Sequence, residues 1–145
     1  MASVEKMDWN PKFSVDINEI DTFQKTMFEL FNQLIELKNK KKESKDCINQ
    51  ISEINEFSKV YFSTEEKILK KSEYPDFSEH SKAHRQFNRR FISLRRELAE
   101  DVGNLTDEVI EDLRQWLITH ILELDSQYVP FLRITDFIEK SKYKK

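Results

Sequence analysis

Apolar residues recur along this chain at intervals of three and four, the repeat of an α-helix, in four separate stretches. The first, from about Asp21 to Lys40, places Ile20, Met27, Phe31 and Leu34 on one stripe, widened by Phe23, Phe28, Leu30 and Ile35. The second, from about Asp46 to Lys71, carries Ile51, Ile54, Phe57 or Ser58, Tyr61, Glu65 and Ile68. Pro75 then breaks the pattern, and Asp76 followed by Glu79 has the spacing of a capping box. The third stripe is Phe77, His80, His84, Phe87, Phe91, Leu94 and Leu98, three and four alternating without a slip. Gly103 and Asn104 mark the next turn, and Thr106 is the expected N-cap of the last stretch, with Asp107 and Glu108 in its first turn. Its stripe is Val109, Ile110, Leu113, Leu117, His120, Ile121 and Leu124, and Pro130 is expected to end it. Helices of about 20 residues with short connections predict an all-α, up-down-up-down four-helix bundle with an N-terminal arm.

Composition narrows this picture. A chain of 145 residues is the size of one domain, so residues 1–145 are read as a single unit. Glycine occurs once and 35% of residues are charged, which suits long amphipathic helices and disfavours a turn-rich β-sandwich. The 24 basic and 27 acidic residues give a net charge of −3, which argues against nucleic acid as a partner. The basic run from Lys38 to Lys45 reads as a solvated helix end and turn. No apolar run reaches the ~18 residues of a membrane span, and the opening MASVEKMDWN lacks the apolar core of a signal peptide. A lone cysteine, Cys47, excludes an intrachain disulfide and reads as a small buried residue. A monomer in a reducing, cytoplasmic compartment is expected. Neither a glycine-rich phosphate loop nor a Cys-x-x-Cys zinc pattern is present.

The informative residues are polar groups that interrupt apolar stripes. Gln24 lies between Ile20 and Met27, Tyr61 and Glu65 are four apart, and so are His80 and His84. His120 sits on the last stripe with Asp125 close behind it. All four helices thus send metal-capable groups inward, and buried carboxylates and imidazoles need each other or a metal. All three histidines of the chain fall on stripes, although most polar residues lie on surfaces. The same groups could instead form a polar network: Gln24 could close a capping box with Asp21, and Tyr61 could be a core aromatic with a carboxylate partner. Glu66 falls off the stripe and reads as a surface or supporting residue.

Four segments, in order, resemble the bacterial hemerythrins: WNPKFSVDINEIDTFQKTMF at Trp9–Phe28, FSTEEKIL at Phe62–Leu69, HSKAH at His80–His84 and WLITHILELD at Trp116–Asp125. The resemblance implies a non-heme di-iron site bridged by Glu65 and Asp125. It assigns His80, His84 and His120 to one iron. The second iron of that family takes one histidine from each of the first two helices, and this chain has Gln24 and Tyr61 at those positions. Dioxygen binds at that second half in the family, so the exchange works against reversible oxygen carriage.

A glutamine ligates only through its neutral amide oxygen, and a tyrosine only well as phenolate, which favours the ferric state. The metal set expected from the sequence is therefore His80, His84, His120, Glu65 and Asp125, with Gln24 and Tyr61 as substitute ligands. Two irons, one iron at the three-histidine half, or a metal-free polar core all remain open. The expected function is binding or sensing of dioxygen or a related small oxidant. An iron enzyme acting on peroxide or ferrous iron is the alternative, held lower because no acid–base group stands apart from the ligands. A metal-free interaction bundle is the third reading.

Overall fold

The computed structural model describes residues 4–40, 44–101, 103 and 105–142. The centre of the lysine-rich turn and Asn104 lie outside that set. A single 3-10 turn, Pro11–Phe13, precedes the helices. The helices are α1 (Asn18–Asn39), α2 (Ser44–Lys71), α3 (Phe77–Glu100), α4 (Asp107–Thr119) and α5 (Ser126–Lys142). A π-helical turn, His120–Asp125, joins α4 to α5, so the last three pieces form the fourth helix of an up-down-up-down bundle. Among the described residues there is no strand.

The expected stripes are the core. Ile20, Met27, Phe31, Leu34 and Ile35 of α1 are fully buried, as are Ile51 and Ile54 of α2 and Phe91 and Leu94 of α3. Phe31 meets Phe91 edge to face at 6.3 Å, and Phe91 stacks on Phe87 at 4.4 Å. This apolar end of the bundle leaves the polar stripe residues together at the other end.

The arm is fastened to α1 by reciprocal bonds. Met7 N–H donates to Asn32 Oδ1 at 2.6 Å, and Asn32 Nδ2 donates to the Met7 carbonyl at 2.8 Å. Phe13 packs edge-on against Phe28 at 5.1 Å. The Asp21 carboxylate takes the Ser14 hydroxyl and the Val15 N–H, tying the arm to the first turns of α1. α1 therefore begins at Asn18, ahead of the expected Asp21, and Gln24 lies too far along it to close a capping box.

The turn between α2 and α3 is a Schellman closure. Tyr74 N–H bonds the Leu69 carbonyl, Glu73 N–H bonds the Lys70 carbonyl, and Glu73 sits at φ 56°. Pro75 follows where a helix cannot continue. Asp76 does not cap α3 as expected. It is held in the Tyr74–Phe77 turn at φ −97°, ψ 22°, away from the extended conformation a capping side chain needs. Thr106 does cap α4, accepting Val109 N–H at 3.2 Å. Pro130 lies inside α5 instead of ending it. It removes one donor, but its neighbours carry the helix on to Lys142. No helix among the described residues is long and apolar enough to cross a membrane.

Candidate metal centre

Each helix contributes through its own periodicity. On α2, Tyr61 and Glu65 are one turn apart, and both are buried. On α3, His80 and His84 are related in the same way, and both point inward. The fourth helix poses a different problem, because His120 and Asp125 are five residues apart. In an α-helix that spacing turns the second residue about 140° away from the first. The π-turn covers these six residues with i→i+5 bonds, among them Ser126 N–H to the Ile121 carbonyl. It brings His120 and Asp125 onto one face, and both are buried.

The result is a cluster of Glu65, His80, His84, His120 and Asp125 whose ligand-capable atoms all lie within 4.8 Å of one another. None of these residues is more than 3% exposed. His80 Nε2 lies 2.7 Å from Glu65 Oε1 and 3.0 Å from Asp125 Oδ1. His84 Nε2 is 3.0 Å from Glu65 Oε1, and His120 Nε2 is 3.2 Å from Asp125 Oδ1. His84 Nε2 and His120 Nε2 approach to 3.2 Å, so three ring nitrogens and two carboxylate oxygens converge.

The rings are held from behind. His84 stacks on Phe62 at 4.0 Å and His120 on Trp116 at 4.7 Å. Glu66 Oε2 stands 3.1 Å from His84 Nδ1, while its other oxygen accepts the Ser81 hydroxyl at 2.7 Å. This fits the reading of Glu66 as a supporting residue. It fixes which nitrogen of His84 faces the cluster.

Electrostatics follow from the burial. Burial alone would depress the His80 imidazole, but hydrogen bonds to Asp125 and Glu65 outweigh it and hold its pKa up at about 10. His84 is likewise depressed by burial and raised more by Glu65 and Glu66. Burial works to raise Asp125, yet His120 and His80 hold it below the usual carboxylate range. Glu65 also ends lowered: burial and Asp125 raise it, and the bonds from His80 and His84 prevail. Without a cation, the raised His80 and His84 imidazoles offset the two carboxylates.

Gln24 and Tyr61 also reach this end of the bundle, in different states. The Tyr61 hydroxyl donates to Asp125 Oδ2 at 3.2 Å. Burial, then Asp125 and Glu65, push its pKa well above that of a free phenol, while the Gln24 amide pulls it down. Gln24 is fully buried, and its Oε1 accepts the Trp9 indole N–H at 2.9 Å. Sequence reasoning missed two of these partners. Tyr128, fully buried on α5, donates its hydroxyl to Glu65 Oε2 at 2.8 Å. Its position three residues after Asp125, on the same helical face, was the available signal. Trp9 lies in the arm, where no periodicity marks it.

Two clefts lead toward the cluster. One of about 350 Å³ between α2 and α3 reaches His84 past Phe62 and Glu66, with Lys59, Lys67 and Arg85 also on its walls. The other, about 460 Å³, runs between α3 and the fourth helix and reaches His120 beside Trp116 and Thr119.

The donor set fits iron, with imidazole nitrogens and anionic oxygens in a site closed to bulk water. Residues 15–132 match the sequence profile of the family described as Hemerythrin HHE cation binding domain. A bacteriohemerythrin of Clostridium acetobutylicum is 29% identical over 125 residues, covering 83% of this chain and 97% of that protein. One of Pseudomonas aeruginosa is 30% identical, covering 86% and 80%. A hemerythrin-like protein of Naegleria gruberi is 26% identical, covering 83% and 89%. A crystal structure of a hemerythrin point mutant superposes with a TM-score of 0.79 at 22% identity, covering 86% of this chain and 95% of that one.

Proposed function

The chain belongs to the hemerythrin HHE cation-binding family, and from that premise we propose that it is a non-heme iron protein that binds or senses dioxygen or a related small oxidant. Residues 1–145 act in this reading as one domain. His80, His84 and His120 supply nitrogen ligands, and Glu65 and Asp125 supply carboxylate oxygens. The observation that carries the reading is the convergence of these five buried groups within 4.8 Å. Two carboxylates and three imidazoles kept from solvent are costly without a shared cation.

Bound iron would supply redox chemistry and an open coordination position. The chain's own part is to hold and shield. Phe62 and Trp116 fix two rings by stacking, and Glu66 orients His84. The clefts that reach His84 and His120 give a small molecule a route to the cluster. Among the described residues, the two carboxylates of the cluster are engaged by imidazoles and phenols, which favours binding over turnover.

Metal content tests this directly. Protein purified without added metal, then reconstituted anaerobically with ferrous iron and desalted, is expected to retain iron in stoichiometric amount. Retention below about a tenth of an equivalent would sink the reading, since a built site binds far more tightly than that. The oxidant half has its own test. The ferrous protein is expected to change its visible spectrum on mixing with dioxygen or peroxide, and an unchanged spectrum would remove it.

A further inference from the structure

The two ends of the cluster are built differently. On one side, three ring nitrogens face Glu65 Oε1 and Asp125 Oδ1. On the other, each carboxylate's remaining oxygen is turned to a phenol: Glu65 Oε2 to Tyr128 and Asp125 Oδ2 to Tyr61. The Gln24 oxygen is turned to the Trp9 indole, which occupies one of its two lone pairs, and its Nε2 is fully buried without a hydrogen-bond partner in the structure. An amide nitrogen donates hydrogen bonds and does not ligate cations.

We propose that the cluster holds one metal ion, at its three-histidine side, that Tyr61 positions Asp125 where a second ion would otherwise lie, and that Trp9 holds the Gln24 oxygen away from ligation. The inference rests on the iron reading above and specifies the number of ions and the role of the two exchanged residues. Two bonds set the polarity of this side: the indole donates to the glutamine oxygen, and the phenol donates to the carboxylate. For Tyr61 to offer a lone pair to a cation instead, its bond to Asp125 has to be broken and its hydroxyl turned.

Charge points the same way. Glu65 and Asp125 carry two negative charges, which one divalent ion balances. A second would have to bring its own anion, such as hydroxide, into a site no more than 3% exposed. Glu66, the nearest further carboxylate, is engaged with His84 and Ser81.

The test is a stoichiometry with a spectrum, on the full chain. Reconstituted with ferrous iron and desalted, it is expected to hold one equivalent, and after oxidation to show no phenolate-to-ferric charge-transfer band. Tyr61→Phe is expected to keep one equivalent of cobalt(II) while binding it about 10–100-fold more weakly and shifting its ligand-field bands, because Asp125 loses the group that orients it. The double variant Gln24→His, Tyr61→His is expected to raise the ratio from one to two. Two equivalents in the unaltered chain, or a phenolate band lost in Tyr61→Phe, would overturn the single-ion proposal and leave the iron reading standing. Cobalt bands and affinity unchanged in Tyr61→Phe would overturn the positioning role. No retained metal at all would overturn both this inference and the reading beneath it.

Discussion

At the scale of single residues, the cluster depends on groups that do not themselves face its centre. Glu66 is the clearest. It holds His84 Nδ1 at 3.1 Å and thereby presents Nε2 to Glu65. Glu66→Ala is expected to weaken metal affinity about 10–100-fold while leaving the fold intact, as measured by chelator competition and thermal melting. Affinity equal to that of the unaltered chain would show that Phe62 stacking alone fixes the ring. Glu65, His80, His84 and His120 were legible in the sequence because burial and helical spacing coincide, whereas Asp125 lay off the stripe and was placed by the family resemblance. A histidine or carboxylate on an apolar stripe announces itself. Tyr128 and Trp9 did not, for opposite reasons. Tyr128 is an aromatic that hydropathy scores as ordinary core, so its hydroxyl bond to Glu65 is signalled only by its spacing from Asp125. Trp9 acts from an irregular arm, where side-chain direction is set by tertiary contacts and not by a repeat.

At the scale of elements, the π-turn is the piece that a strictly α-helical reading cannot supply. The stripe through Leu117, His120, Ile121 and Leu124 continues an α-helical register, in which Asp125 would point aside. The structure instead widens the helix over His120–Asp125 and keeps both residues inside. Deleting one residue of that turn, the exposed Glu123, is expected to restore α-geometry with His120 and the aspartate four apart and still on one face. Inserting one alanine after Leu122 makes them six apart and swings Asp125 roughly 100° further round. The deletion is expected to keep metal binding and the insertion to abolish it, with helix content by circular dichroism unchanged in both. Metal retained after the insertion would mean that the spacing is not what places Asp125. The other elements were legible to within a few residues because their stripes are long and regular. The misread ends have local causes: the Asp21 tether lets α1 start at Asn18, the Tyr74–Phe77 turn draws Asp76 away from capping, and Pro130 is absorbed within α5.

At the scale of the whole molecule, the buried charges make stability depend on pH in a way that metal should reverse. In the metal-free protein His80 is raised from 6.5 to about 10, and His84 is raised as well. A raised imidazole contributes stability that is complete below its unfolded value of 6.5 and is lost as pH climbs toward 10. Asp125 and Glu65 are lowered from 3.8 and 4.5, so their contribution is complete above those values and is lost as pH falls below them. The metal-free protein should therefore melt highest between about pH 4.5 and 6.5 and decline on either side. Metal must displace the imidazole protons, so its affinity rises with pH across the range in which the metal-free protein weakens. At a hundredfold excess over its dissociation constant a bound ion adds about 2.7 kcal/mol. At about 2–4 °C per kcal/mol for a chain near this size, that is roughly 5–10 °C in Tm. The gap between cobalt-loaded and metal-free melting temperatures is thus expected to be small at pH 6 and to widen by pH 8. A metal-free Tm that stays flat or rises between pH 6 and 9 would mean that the carboxylates are not holding protons on His80 and His84. In that event the cluster would be prepared for a metal by packing alone.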